Sequence, residues 1–428
     1  MISLDSLNCN FVREPLISPF GFKGGYLSEL WQTVVGIKSG EYSGFGVGVQ
    51  SVLWSDSSVF ASYSQSAGNM LMFLTTEYAK TRLSNVGFET PVDALEYIRH
   101  DTFEYAKRIT GNSNLRQTFV LNSLVPVDNA LWQIYAKKLQ TNSFMDVVPK
   151  EYSAPLCCHH ERLGSIPLIT YGLSEDSIRS LLNDGHFILK IKIGSDPEHD
   201  NDLDKMLEWD KKRLAQIHKI ASEYSTEYTE NGKIAYYIDA NGRYDSRDRL
   251  NRLLDFADSI DAASQIVILE EPFAEENKID VSDIPCRIAA DESAHSVKDV
   301  KERTELGYSA IALKPIAKTL SETLGILSEA YKNNVPCFCA DLTVNPIMAE
   351  INKNIAARIA PIPGLKIGVV EVNGGQNYKN WDKMFSYHPL GNSAFTKDKN
   401  GIFTLDEEFY KTSGGIYMDS DYYNDIAN

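Results

Sequence analysis

The sequence predicts an α/β fold: a TIM-type barrel that begins near residue 156 and follows a segment of mixed character. Three observations carry this. Eight short, apolar, β-branched runs lie between residues 165 and 375. Helical segments separate them, so eight β units fall within about 210 residues, the arithmetic of a barrel. No Gly-rich phosphate loop follows the first run, where Gly172 stands alone. A doubly wound open sheet, the competing architecture, normally brings such a loop.

The eight runs are 166–173, 187–193, 233–240, 265–270, 287–291, 310–314, 336–340 and 366–372. Stretches 200–223, 246–259, 321–333 and 348–359 suit amphipathic helices between them. Ahead of the barrel, residues 30–49 read as two strands joined at Ser39-Gly40, and 91–110 and 116–140 read as helices. Residues 44–69, rich in Ser, Gly and aromatics, read as an ordered loop or lid. Residues 376–428 leave the barrel pattern and read as a C-terminal extension packing back on the first domain. The expected boundaries are therefore 1–155, 156–375 and 376–428.

Composition narrows the function classes. The chain has 428 residues, is 43% hydrophobic and 23% charged, and carries a formal net charge of −16. An acidic balance argues against nucleic acid. No run of 18 apolar residues argues for a membrane span, and the first ten residues lack a secretory pattern. Six cysteines at irregular spacing suggest no disulfide framework and favour a reducing cytoplasm. The sequence Cys157-Cys158-His159-His160 is too contiguous to wrap a zinc ion. Cys337 and Cys339, inside a strand, suit core packing. A closed homo-oligomer is the default expectation.

In a TIM-type barrel the reactive groups sit at the C-terminal ends of strands. The second strand ends in Lys190-Ile191-Lys192, the third in Asp239-Ala240-Asn241 and the fourth in Glu270-Glu271-Pro272. The fifth ends in Asp291-Glu292-Ser293, the sixth at Lys314, the seventh at Asp341 and the eighth at Glu371-Val372-Asn373. Carboxylates on three successive strands crowd one mouth and repel, which a hard divalent cation relieves; Mg²⁺ suits all-oxygen donors, with Mn²⁺ as a substitute. Lys190 and Lys192 share one strand face. Either both pair with the carboxylates, or Lys190 depresses the pKa of Lys192 and makes it a base. Lys314 faces the mouth from the opposite side. Two such bases suit proton abstraction beside a carboxylate, with the metal stabilising the enediolate. Glu371 and Asp341 face the same mouth and are candidate substrate contacts.

The order Lys-x-Lys, Asp-x-Asn, Glu-Glu-Pro, Asp-Glu-Ser and a lone Lys resembles the enolase superfamily, in its mandelate racemase/muconate lactonizing enzyme family and the muconate lactonizing subgroup. Residues 122–139, with Asp128-Asn129-Ala130-Leu131-Trp132, look like that family's helix before the barrel. The resemblance implies a (β/α)7β barrel under an α+β capping domain built from the N-terminal segment and the C-terminal tail. It implies Asp239, Glu270 and Asp291 as Mg²⁺ ligands, with Asn241 and Glu271 behind them. It makes Lys192 and Lys314 the acid/base pair and Lys190 the auxiliary lysine. It gives choice of a small carboxylate substrate to capping segments 15–26, with Phe20, Phe22 and Lys23, and 52–63.

The implied activity is an epimerase or racemase. A cycloisomerase or o-succinylbenzoate-synthase-like syn-elimination is the alternative, with Lys192 as base and Lys314 as a fixed cation. More remote are a Schiff-base aldolase with Lys314 as nucleophile and a non-catalytic binding protein. Two departures turn the expectation away from dipeptides: Glu371-Val372-Asn373 stands where dipeptide epimerases carry Asp-x-Asp, and Lys318-Thr319-Leu320 stands where many members carry Gly-Gly. With Lys314 on the sixth strand and Asp341 on the seventh, the His-Asp dyad of the acid-sugar dehydratases is missing.

Overall fold

The structure, a computed structural model, describes residues 2–22, 25–84, 86–198 and 200–427. Of the sequence candidates, Lys23 and the side chains of Phe20 and Phe22 lie outside the described residues.

The barrel closes through its first strand. Pro167 has no N–H to give to a ladder and divides that strand into Arg162–Ile166 and Leu168–Ile169. The first half pairs in parallel with the eighth strand, Gly368–Glu371, and the second half with the second strand, Ile188–Lys192. The Pro167 carbonyl still accepts from Lys190 N at 3.1 Å. Run 166–173 was expected to be strand throughout; it is strand only to Ile169, because the chain then turns, with Leu173 N bonded to Thr170 O. The remaining strands are Ala235–Asp239, Ile266–Glu270, Ile288–Ala290, Ala310–Leu313 and Cys337–Cys339, each parallel to its neighbours.

Helices Glu175–Asn183, Leu203–Ala221, Arg247–Ser259, Val297–Glu305, Leu320–Lys332 and Pro346–Ala356 cover the sheet. Capping side chains start them: Ser174, Asp202, Ser246, Ser296, Thr319 and Asn345 each accept a backbone N–H of the first turn. Between the fourth and fifth strands residues 271–287 form no helix.

Ahead of the barrel stands a three-stranded antiparallel sheet, Ser6–Phe22, Gly25–Ser39 and Tyr42–Gln50, with Gly40 at φ +60° in the second turn. Helices Ser57–Leu83 and Gln117–Lys138 pack against it, and Pro91–Thr110 packs on both of these helices. The loop expected over 44–69 is instead the end of the third strand, a short helix Val52–Ser55 and the start of a long one. The glycines that read as loop let a helix approach the sheet. A Cβ on Gly46 would lie 2.1 Å from Pro126 O and 2.2 Å from Ala130 N, and one on Gly48 would lie 2.4 Å from Pro126 Cδ. Asp56 then caps, through Ser58 N and Val59 N, the first part of helix Ser57–Leu83, which is broken by a kink at Ser64 (φ +74°).

The C-terminal tail touches both bodies. Its strand Ile402–Thr404 pairs antiparallel with Arg162–Ile166, while helix Asp421–Ala427 brings Tyr423 onto Phe45, ring centroids 5.4 Å apart. The helix before the barrel is tied down by buried Asp128. Its Oδ2 accepts Leu320 N (2.8 Å) and Ser321 N (3.1 Å), and its Oδ1 accepts the Ser321 hydroxyl (2.5 Å). A carboxylate thus sits on the N-terminus of a barrel helix, where the helix dipole favours it. Trp132 Nε1 donates to the same hydroxyl at 3.0 Å. Among the described residues no helix is long and apolar enough to cross a membrane.

Candidate active site

The parallel register sets Lys192 beside Asp239 and Asp239 beside Glu270, so the strand ends named from the sequence meet at one mouth. Lys190 and Lys192, on one face, both reach Asp239 Oδ2, at 3.1 and 2.6 Å. Lys190 also lies 3.3 Å from Glu270 Oε1 and 3.0 Å from Glu371 Oε2. Of the two readings of this lysine pair, ion pairing with the carboxylates is the arrangement present, and Asp239 offsets the repulsion between the ammoniums. Burial alone would lower the Lys190 pKa; the charges of Glu270 and Glu371 outweigh it and hold the group well above its ordinary value. Asp239, though buried, is kept far below the carboxylate range by Lys192 and Lys190.

Glu270 lies between two other acids. Burial, then the charge of Asp239 with that of Asp291, drives its carboxyl well above the usual range, and the Tyr237 hydroxyl donates to its Oε2. Asp291 is pulled down against burial by Lys314, which donates to its Oδ2, and by Lys318 at 3.1 Å from its Oδ1. Behind these, Glu271 Oε2 accepts Asp291 N (2.7 Å), Ser293 N (3.3 Å) and the Ser293 hydroxyl (3.0 Å). Burial and the neighbouring Glu292 push Glu271 up to about 7. Asn241 accepts from Lys192 at 2.5 Å and donates to Glu292 at 3.2 Å.

At the seventh and eighth strands, Glu371 Oε2 accepts Asp341 N at 2.8 Å and Asp341 Oδ2 accepts Asn373 N at 2.9 Å. Burial, with the Glu371 charge, raises Asp341 to about 7.

Three residues absent from the sequence list complete the mouth. Lys318, fully buried one turn after Lys314, donates to the carbonyls of Asp291 (2.6 Å) and Ala294 (3.1 Å). Trp54, on the short helix Val52–Ser55, stands with its ring centroid 4.7 Å from Lys314 Nζ, a cation–π distance. Tyr237 takes the same position over Lys190, at 4.5 Å. The only sequence cue for Lys318 was its spacing of four from Lys314; for Trp54 it was an aromatic in the capping segment.

A cavity of about 40 Å³ opens between Lys192, Lys314, Trp54, Leu30, Thr343 and Glu371. Leu168 borders this cavity and also a cleft of about 850 Å³ between Ser18, Pro19, Gly21, Gly25 and Tyr26 of the sheet and the loops after the first and second barrel strands.

Among the described residues no three His, Cys, Asp or Glu side chains converge as a ready ligand set; the lysine ammoniums meet the carboxylates instead. The donor chemistry nevertheless fits a hard cation. Asp239, Glu270 and Asp291 are all oxygen donors, all buried, and repel strongly enough to hold the Glu270 acid up.

Residues 174–367 match the family model described as enolase C-terminal domain-like. No curated protein matches the chain. Among solved structures, it is similar to a mandelate racemase/muconate lactonizing protein from Herpetosiphon aurantiacus, at 16% identity and TM-score 0.66, over 95% of this chain and 96% of that one. It is similar to a dipeptide epimerase from Cytophaga hutchinsonii, complexed with Mg and D-Ala-L-Val, at 16% identity and TM-score 0.64 over 89% of each chain. An N-succinyl Arg/Lys racemase from Bacillus cereus is similar at 17% identity and TM-score 0.63, over 88% of each. The chain therefore carries an enolase C-terminal domain-like barrel, within the fold of the mandelate racemase/muconate lactonizing members of the enolase superfamily.

Proposed function

We propose that this protein is a Mg²⁺-dependent enzyme that abstracts a proton α to the carboxylate of a small carboxylic acid or amino-acid derivative, and that it works as an epimerase or racemase. One observation carries the reading: Lys192 and Lys314, from the second and sixth strands, line one cavity, one ammonium held on Asp239 and the other on Asp291. For inversion, one lysine enters the cycle neutral and the other charged. The neutral amine takes the α-proton, leaving an enediolate, and the opposite ammonium returns a proton to the other face. The pair ends with exchanged protonation, ready for the reverse direction. Mg²⁺ held by Asp239, Glu270 and Asp291 would supply positive charge beside the substrate carboxylate. Trp54 and Leu30 exclude water from the cap side of the cavity. The fold neighbours that bind Mg and dipeptide, or racemise N-succinyl amino acids, support the class of reaction.

A second reading has its own observation. Lys314 is the more enclosed lysine, its side chain 3% exposed against 11% for Lys192, and it is fixed between Asp291 and the Trp54 ring. A cation held so firmly suits a one-base cycloisomerisation or syn-elimination, with Lys192 as the base. Deuterium exchange into each enantiomer separates the two. Under the two-base mechanism Lys192→Ala and Lys314→Ala each abolish exchange from a different enantiomer, by roughly 10²- to 10⁴-fold. Loss of all exchange in Lys192→Ala, with exchange retained in Lys314→Ala, selects the one-base mechanism.

A further inference from the structure

Each of the three acids proposed to hold Mg²⁺ turns one oxygen to the cavity lysines and has the other taken by a different group. Asp239 Oδ2 meets Lys192 at 2.6 Å and Lys190 at 3.1 Å, while its Oδ1 accepts Asn241 N at 3.0 Å. Glu270 Oε1 lies 3.3 Å from Lys190, while its Oε2 accepts the Tyr237 hydroxyl. Asp291 Oδ2 accepts from Lys314, while its Oδ1 lies 3.1 Å from Lys318. Lys190, Lys192 and Lys314 line the reaction cavity; Tyr237 and Lys318 do not.

The two side chains outside the cavity are held where they stand. Tyr237 precedes Asp239 by two residues on one strand face, so it lies a layer deeper in the barrel. Its fully buried ring packs edge-on against Phe338, centroids 5.1 Å apart, and the Lys190 ammonium stands 4.5 Å from the ring centroid. Lys318 is fully buried too, and donates to the carbonyls of Asp291 (2.6 Å), Ala294 (3.1 Å) and Ala312 (3.5 Å). Moving either side chain away would strand a buried donor without its partner, which is costly.

The oxygens left to a metal ion are therefore Asp239 Oδ2, Glu270 Oε1 and Asp291 Oδ2. Mg²⁺ is small, demands near-octahedral geometry and keeps several waters, so single carboxylate oxygens suit it. Ca²⁺ takes six to eight oxygens and gains from carboxylates that offer both of theirs.

We infer that Tyr237 and Lys318 determine the cation specificity of the site: by occupying Glu270 Oε2 and Asp291 Oδ1 they leave one oxygen of each acid for a metal ion, and so favour Mg²⁺ over Ca²⁺. This rests on the proposed ligand set of Asp239, Glu270 and Asp291.

The test is titration calorimetry of the metal-free full chain with MgCl₂ and with CaCl₂, the ratio of the two affinities being the readout. Tyr237→Phe keeps the ring and removes only the hydroxyl; it shifts the ratio toward Ca²⁺ by about tenfold or more. Lys318→Met also deletes a positive charge and strengthens both cations, but shifts the ratio the same way. Tyr236→Phe, whose hydroxyl meets His218 on the other strand face at 2.9 Å, leaves the ratio unchanged. Glu270→Gln weakens Mg²⁺ by about tenfold or more. An unchanged ratio in Tyr237→Phe, or an equal shift in Tyr236→Phe, overturns the specificity role; with Glu270→Gln defective, the ligand set still stands. Mg²⁺ binding as tight in Glu270→Gln as in wild type, or none in wild type, overturns the ligand set and the specificity role together. Circular dichroism checks that each variant is folded; where Tyr237→Phe is not, the ratio in Lys318→Met decides.

Discussion

Histidine 295 shows how a single buried side chain ties the stability of this barrel to pH. Its Nδ1 lies 2.9 Å from Asp299 Oδ2 and its Nε2 3.4 Å from Glu275 Oε2. Burial opposes the charged ring, but the bonds to Asp299 and Glu275 outweigh it and raise the pKa from 6.5 to about 9. A folded-state pKa above the unfolded one gives stability that is present in full below about 6.5 and is lost as pH rises through about 9. Replacing His295 by Gln therefore costs about 1–3 kcal/mol at pH 6 and little above pH 9, read by urea unfolding at the two pH values. The same residue scale explains what the sequence could and could not show of the site. Asp239, Glu270, Asp291, Lys192 and Lys314 were legible because each ends a β run, and barrel topology sends those ends to one mouth. Lys318 and Trp54 were not. Lys318 reaches Asp291 only because the chain turns into the short helix Pro315–Lys318, and Trp54 arrives from a different body of the molecule.

At the scale of elements, composition misled where packing decides. Gly44, Gly46 and Gly48 alternate along one face of a strand, and read alone they suggest a loop. Their purpose is contact with helix Gln117–Lys138, which carries Pro126 where the approach is closest. A propensity argument sees the missing side chains and not the helix that needs the space. Gly46→Ala should accordingly destabilise the protein by about 1–3 kcal/mol, whereas Gly40→Ala, whose Cβ meets nothing within 4 Å, pays only for its positive φ. Denaturant midpoints of the two variants check this, and equal effects would deny the close approach. The interrupted first barrel strand is a second case. Pro167 was visible in the sequence, but its effect depends on both halves pairing with different neighbours, which only closure reveals.

Across the whole molecule, the regular alternation of strands and helices made the barrel readable. The two-body contacts made by Asp128 and by the C-terminal tail join residues hundreds of positions apart, and no local pattern announces them. The row of buried acids also makes a prediction about the molecule as a unit. A cation that binds the folded state alone adds RT ln(1 + [M]/Kd), about 2.7 kcal/mol at a hundred times Kd. Mg²⁺ should raise the melting temperature of the wild type and fail to do so in Glu270→Gln; an equal rise in both would remove Glu270 from the ligand set. The central claim is proton abstraction beside a carboxylate, and ¹H NMR in D₂O tests it most directly. With Mg²⁺ present, N-acyl amino acids, dipeptides and hydroxy acids are incubated with wild type, Lys192→Ala and an EDTA-treated control. The account predicts loss of the α-proton resonance of at least one class with wild type, abolished for both enantiomers by EDTA and for one enantiomer by the Lys192 substitution. Exchange that persists in both controls would contradict it.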